Sequence, residues 1–180
     1  MSSIYFERAL FLLGDSNTGK STQLRSMFLD KRLGSGGAIP SSRNLKNSYP
    51  LSNERWLYVR LTSPHEANET MDEFLKKCED AMGPKVPEAR RWNFAGALQV
   101  TASLNLAKGS DVVGEFAKRF KPERIRVAVI SPDRQGSYLS TGTQQNIVQS
   151  LRAVGAEIVV SDATSRTANG LTYADFFDFT

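Results

Sequence analysis

The sequence of 180 residues has room for one domain with a substantial hydrophobic core. Apolar residues make up 40% of it and charged residues 23%, which is ordinary for a globular protein and excludes a disordered or fibrous chain. A single cysteine and a single histidine exclude an internal disulfide and a zinc site of the usual kind.

The net charge and the hydropathy pattern limit the kinds of partner that the chain is expected to bind. The formal net charge of +4 is mildly basic, which suits an anionic ligand and does not by itself indicate nucleic acid. The longest apolar run near the N-terminus, Ala9 to Leu13, is far shorter than the about 20 residues that span a bilayer. With no cleavage site after it, we expect a cytoplasmic protein without a membrane segment, by default rather than from a targeting signal.

The first third of the chain predicts a strand, a loop and a helix. Residues 8–13 form a compact apolar run, typical of a buried strand, and Gly14 follows at once. From Lys20 to about Arg32 apolar residues recur at helical spacing, and Gly34 is a stop signal. Residues 34–55 are rich in Gly, Ser and Asn, with only a short strand at 38–39 predicted inside a long loop, and loops of this length are often functional.

The middle of the chain predicts a second strand and three helices. Residues 56–62 indicate a strand, after which Ser63, Pro64 and Glu66 predict a helix start with a capping box. Apolar residues then occupy one helical face as far as Met82, and Gly83 and Pro84 end the helix. Residues 88–107 predict a long, mostly apolar helix, and Ser110 is expected to cap another that runs to Phe120.

The last third predicts a strand at 125–130, a polar loop at 132–142, a helix at 143–154 and a strand at 158–160. The aromatic tail is expected to pack on the body of the protein. Strands that alternate with helices indicate parallel pairing. We therefore predict an α/β fold, a three-layer α/β/α sandwich with a mainly parallel sheet, as one domain over residues 1–180 with a helical insertion around 64–121.

Residues 14–21, Gly-Asp-Ser-Asn-Thr-Gly-Lys-Ser, carry the clearest chemistry. Glycines allow a loop to wrap polyphosphate with its backbone N–H groups, and a following helix adds its positive end. Lys20 is placed for the β- and γ-phosphates, the Ser21 hydroxyl for Mg²⁺, and Thr22 for the α-phosphate. The predicted nucleotide-binding residues are Gly14, Asp15, Ser16, Asn17, Thr18, Gly19, Lys20, Ser21 and Thr22.

This loop, between a predicted strand and a predicted helix, resembles the P-loop NTPase superfamily over residues 8–28. The resemblance implies the P-loop NTPase fold and the binding of ATP or GTP with Mg²⁺. It does not say what the triphosphate is used for. The variant of the loop with an early lysine is not matched, because position 15 is Asp.

A second motif, an acid after an apolar strand that supports Mg²⁺, is less clear. Asp133 is the first candidate, and we predict it as a catalytic residue and metal ligand. Asp162 is the second candidate. Glu66 is the third, although the capping box predicted at the helix start would account for it.

Residues 133–136, Asp-Arg-Gln-Gly, also resemble the Asp-any-any-Gly signature of GTPases. The guanine-reading Asn-Lys-any-Asp motif does not follow it, so ATP is favoured over GTP.

Arginines can stabilise the charge that develops in phosphoryl transfer. Arg134, Arg43 and the pair Arg90 and Arg91 lie in or beside irregular segments, where arginines of a lid would suit a small kinase and where surface charge is the other explanation for each. Arg134 is the predicted catalytic arginine, together with Lys20. The basic cluster at 118–126 gives nucleic acid only weak support. His65 is expected to be exposed in the first turn of a helix, and Cys78 to be packed in the core.

Three functions fit these observations. The first is a Mg²⁺-dependent ATPase whose nucleotide state is read by a partner protein or a second copy of the chain, with residues 34–55 as a switch segment. The second is a small-molecule kinase for a nucleotide or nucleoside, with residues 64–121 supplying an acceptor site and lid. The third is a nucleotide-binding module that does not hydrolyse its ligand.

Overall fold

A computed structural model describes residues 6–41, 43–82, 89–165 and 167–178, and these form one sheet covered by helices. The strands are β1 Phe6–Leu13, β2 Ser48–Pro50, β3 Arg55–Arg60, β4 Arg91–Leu98, β5 Arg124–Ile130 and β6 Glu157–Ser161. The helices are α1 Lys20–Ser26, α2 Met71–Ala81, α3 Gly109–Phe120, α4 Thr141–Ala153 and α5 Gly170–Phe177, with 3₁₀ turns at Met27–Leu29 and Lys31–Leu33.

The sheet has the order β2-β3-β4-β1-β5-β6. The strands from β3 to β6 are mutually parallel, and the short β2 pairs antiparallel with β3 at one edge. Strand β1 is almost wholly buried, because a parallel strand in the middle of such a sheet has helices on both of its faces. The parallel order brings the carboxyl ends of five strands to one edge of the sheet.

Each face of β1 enters a different half of the core. Leu10 and Leu12 pack with apolar side chains of α1 and α5. Phe11 and Leu13 pack with those of α2, α3 and α4 on the opposite face. The α/β class with a mostly parallel sheet is therefore confirmed, and the arrangement is compatible with a three-layer sandwich.

Most predicted elements are confirmed within a few residues of their expected ends. The strands predicted at 8–13, 56–62, 125–130 and 158–160 are β1, β3, β5 and β6. The aromatic tail does pack on the body, since Tyr173 and Phe177 are fully buried in α5. Phe179 lies outside the described residues.

The long helix predicted over residues 88–107 is wrong. Residues 91–98 form β4, which pairs with both β1 and β3. The run is apolar throughout because both faces of β4 are covered, and such a run has no periodicity that separates a buried strand from a buried helix. Consequently the helical insertion predicted around 64–121 is also wrong, since this segment supplies a central strand.

The predicted helix start at Ser63 is wrong as well. Residues 63–69 form turns, and α2 begins at Met71 with Thr70 as its N-cap. The capping box is present, but it joins Thr70 to Glu73. The helix end expected at Gly83 and Pro84 lies outside the described residues. The short strand predicted at 38–39 is absent, and β2 lies at 48–50 instead.

Among the described helices, none has the length and apolar character needed to cross a membrane.

Cys78 provides a test of this packing. Its side chain is fully buried in α2 beneath Phe74, and burial raises the pKa of its thiol to about 12. We expect the folded protein to react with a thiol reagent at pH 8 only through unfolding, because the reactive thiolate is neither formed nor accessible. The measurement is the rate of labelling with and without urea. Native labelling as fast as that of the urea-unfolded chain would contradict the fold.

Candidate functional site

The 14–21 loop connects β1 to α1 at the carboxyl edge of the sheet. The Gly14 N–H donates to the carbonyl of Leu98, at the end of β4, over 3.2 Å. Strand β1 leads to a helix on one face of the sheet, whereas its neighbours β4 and β5 lead to helices on the other. Such a switch point opens a crevice between the connections, where ligands of α/β proteins bind.

The backbone of this loop includes left-handed residues and several N–H groups that have no partner in the described part of the chain. Asn17 and Gly19 have positive φ values of 59° and 95°. Within the described chain, the N–H groups of residues 16–19 donate no hydrogen bond to the protein. A Cβ atom on Gly14 would lie 2.6 Å from the Thr18 hydroxyl, which itself donates to the Asp15 carbonyl. Glycine at position 14 thus avoids a close contact with the Thr18 side chain, and the loop leaves several backbone N–H groups without a partner in the described protein.

Lys20 is a buried cation at the base of the loop. Its side chain is 4% exposed, and its ammonium donates to the Asp15 carbonyl and lies 3.9 Å from Glu66 Oε1. Burial lowers the pKa of Lys20, and the nearby charges of Glu66 and Asp15 oppose that shift. The buried ammonium has one carbonyl and one partly exposed carboxylate close to it, so an additional anion would stabilise its charge.

Ser21 is the first residue after Lys20 in α1. Its hydroxyl donates to the Leu61 carbonyl, just beyond β3, over 3.1 Å. The hydroxyl predicted as a Mg²⁺ ligand therefore lies against the segment that leads to Glu66.

The turn of residues 63–69 is held in place by buried polar side chains. His65 is 6% exposed, with Nε2 2.7 Å from the Ala107 carbonyl and Nδ1 3.1 Å from the Ser63 hydroxyl. Glu69 is also buried and pairs with Arg60 and with Lys77. The expectation that His65 is exposed in a helix is wrong, and the turn carries Glu66 to the 14–21 loop.

Burial lowers the pKa of His65, with the positive charge of Lys20 as a smaller cause in the same direction and the Ala107 carbonyl as an opposing one. A neutral imidazole suits its position, since it joins the turn to the segment after β4 without adding a second buried charge beside Lys20.

The loop after β5 covers the other side of the 14–21 loop. The Arg134 N–H donates to the Thr18 carbonyl over 3.3 Å, and its side chain passes close to Gly19. Arg134 and Glu66 line a cavity of about 330 Å³ together with residues 16–22. A cation and a carboxylate thus flank the same cavity beside Lys20.

Asp133 points its carboxylate into its own loop. Its Oδ1 accepts from the N–H groups of Gln135 and Ser137 over 2.7 and 2.9 Å, which is the usual turn-forming role of an Asp. Asp133 is not among the residues that line the cavity around Lys20. Its assignment as a catalytic residue and metal ligand stays a prediction.

Asp162, the second candidate acid, is engaged in a similar way. Its Oδ1 accepts from the N–H and the hydroxyl of Thr164, and these hydrogen bonds lower the pKa of its exposed carboxyl. The end of β4, the strand that neighbours β1, carries Gln99 rather than an acid.

A second cavity of about 420 Å³ adjoins the first and lies between the loops that follow β5 and β6. Its lining includes Gln23, Gln135, Ala163 and Thr164, and it shares Gly19, Thr22 and Arg134 with the first cavity. Gln23 is buried and connects α1 to the 162–169 segment through Ser165 and Asn169. The signal that could have found these residues is the strand order, which the sequence does not give.

The remaining arginines lie elsewhere. Arg91 pairs with the buried Glu7 at the amino ends of the strands, away from the 14–21 loop. In the basic cluster at 118–126, four of the cations pair with acids, namely Lys118 with Glu115, Arg119 with Glu79, Arg124 with Asp178 and Arg126 with Glu157. These pairs neutralise much of the charge that a nucleic acid would need.

No cluster of three or more His, Cys, Asp or Glu side chains suited to a metal ion occurs in the described segments. Comparison with known proteins gives no matching family model and no matching curated protein.

His65 tests whether the 63–69 turn is held as described. We expect His65→Ala to lower the free energy of unfolding by about 2 kcal/mol, because it removes a buried imidazole together with its hydrogen bonds to the Ser63 hydroxyl and the Ala107 carbonyl. Urea unfolding measures the change, with the exposed Arg152→Ala on α4 as a control that shifts stability by less than about 0.5 kcal/mol. An unchanged midpoint for His65→Ala would show that the turn does not depend on this side chain.

Proposed function

We propose that the chain binds ATP with Mg²⁺ on the 14–21 loop and hydrolyses it. The observation that carries the proposal is the buried Lys20 ammonium at the base of a loop whose N–H groups at 16–19 have no partner in the described protein. Dense negative charge is the ligand that such a site stabilises most, since the cation and the donors are both positioned before it binds. The sequence motif and the site geometry support the same ligand.

The two adjoining cavities suit the two parts of a nucleotide. The cavity beside Lys20 has the cationic and hydroxyl groups that phosphates need, and the cavity between the β5 and β6 loops has amide and hydroxyl groups for a nucleoside. The preference for ATP over GTP rests on the missing guanine-reading motif.

Mg²⁺ fits the residues present. It favours hard oxygen ligands and is bound in nucleotide sites through one or two protein groups together with the phosphates. Ser21 would hold it with its hydroxyl, and a carboxylate is available in the same cavity. The ion would neutralise charge on the β- and γ-phosphates.

Arg134 is suited to the catalytic role predicted for it. Its backbone is tied to Thr18 and its side chain lines the cavity opposite Glu66. A guanidinium in this position would stabilise the charge that develops on the γ-phosphate oxygens, while Lys20 neutralises the bridging side.

Hydrolysis is favoured over transfer to a small acceptor. The kinase alternative drew on residues 64–121 for an acceptor site and lid, and β4 in this segment is instead part of the sheet. The partner-linked ATPase gains some support from Leu104 and Tyr138, two large side chains that are 94% and 76% exposed on loops after β4 and β5, at the edge that carries the 14–21 loop. The partner itself stays a prediction.

Lys20 is the direct test of phosphate binding. We expect Lys20→Ala to weaken ATP binding by about 10- to 100-fold, because a charge-assisted contact to phosphate is lost. Calorimetry measures the affinity, and Lys76→Ala, which removes an exposed lysine of α2, is the matched control with unchanged affinity. Equal affinities for Lys20→Ala and the wild type would end the proposal.

Arg134 separates chemistry from binding. We expect Arg134→Ala to lower kcat for ATP hydrolysis by about 100-fold while ATP affinity falls by about tenfold or less, since its charge acts mainly on the transition state. Arg152→Ala on the outer side of α4 is the control and keeps the wild-type rate. A loss of affinity with no loss of kcat would assign Arg134 to binding alone.

A further inference from the structure

We infer that Glu66 supplies the protein carboxylate of the magnesium site, the role that the sequence predicted for Asp133. The inference rests on the proposed function, because it concerns the ion that accompanies the triphosphate. It starts from the positions of the three candidate acids, of which only Glu66 lines the cavity around Lys20.

In each of the two competing acids, one carboxylate oxygen accepts hydrogen bonds from its own loop. Asp133 Oδ1 accepts two backbone N–H groups, and Asp162 Oδ1 accepts the N–H and hydroxyl of Thr164. The residue that follows β4, the strand next to β1, is Gln99 rather than an acid. None of these three residues lines the cavity beside Lys20.

Glu66 and Ser21 converge on the same place from two elements. Glu66 Oε1 lies 3.9 Å from Lys20 Nζ. Ser21, which follows Lys20 in the sequence, donates its hydroxyl to the Leu61 carbonyl. The side chain of Glu66 is 36% exposed, so water and an ion can reach it. A hydroxyl and a carboxylate beside bound phosphates form the oxygen-rich set that Mg²⁺ favours.

The turn that carries Glu66 is fixed before any ligand binds. Ser63, His65 and Glu69 are each buried, and their hydrogen bonds and ion pairs anchor the turn to Ala107, Arg60 and Lys77. A ligand group held by its supporting residues pays little to become ordered when the ion binds. This arrangement gives a function to the carboxylate beside Lys20, the residue that we propose binds phosphate.

Without the ion, the same carboxylate repels a triphosphate. Glu66 should therefore weaken the binding of free ATP and strengthen the binding of ATP with Mg²⁺. A residue with a structural role alone would change both affinities in the same direction, so the pair of affinities identifies the role.

The test is calorimetry of the full chain with ATP, in excess Mg²⁺ and in EDTA. We expect the wild type to bind about tenfold more tightly with Mg²⁺, and Glu66→Gln to reduce this ratio to about twofold or less while binding free ATP about threefold more tightly. Asp133→Asn tests the rival acid: its remaining amide oxygen still accepts from Gln135 and Ser137, and the inference expects it to keep the wild-type ratio. The matched control is Asp72→Asn, which removes an exposed carboxylate of α2.

A wild-type ratio in Glu66→Gln, or its loss in Asp133→Asn, would overturn the inference and leave the proposed function standing. Absence of ATP binding by the wild type would overturn both. If Glu66→Gln does not fold, as judged by Cys78 labelling, Glu66→Asp takes its place. It keeps the charge but withdraws the carboxylate by one methylene, and it must also lose the Mg²⁺ preference.

Discussion

The buried ammonium of Lys20 is the constraint on which the account depends. It lies at the carboxyl end of the most deeply buried strand, with one backbone carbonyl and one partly exposed carboxylate as its close partners. Desolvation disfavours its charge in the absence of a ligand. An anion in the 14–21 loop would offset this cost, and we propose that the triphosphate is that anion.

Strand β1 determines where Lys20 and the 14–21 loop lie. Strand β1 has neighbours on both sides and helices on both faces, so the 14–21 loop begins from a fixed point. The segments after β3 and β5 then approach the loop from opposite sides, bringing Glu66 and Arg134 to one cavity. A carboxylate, an ammonium and a guanidinium, each on a separate element, are thereby arranged around one prospective triphosphate.

The sequence predicts those parts of this site that are local. The motif is predictive because its spacing puts backbone N–H groups, an ammonium and a hydroxyl on one loop, at Gly14, Gly19, Lys20 and Ser21. The apolar run before the motif predicts β1. Arg134 was predicted by residue type beside an irregular segment, and it does line the cavity around Lys20.

What the sequence does not reveal depends on strand order. Residues 91–98 have no period because β4 is covered on both faces, so a helix was predicted in place of a central strand. Ser63 and Glu66 match a capping box, which gives Glu66 a structural explanation in the sequence, but the helix begins later, at Met71 with Thr70 as its N-cap. The 63–69 turn comes near Lys20 because β3 pairs with β4, which in turn pairs with β1, and such long-range pairing leaves no local signal.

The most direct test of the central claim is a calorimetric titration of the wild-type chain with ATP in the presence of Mg²⁺. The account predicts one saturable site with a Kd below about 100 μM, and competition by inorganic tripolyphosphate, because phosphate contacts supply most of the affinity. No saturable binding at millimolar ATP, or binding that tripolyphosphate does not displace, would contradict it.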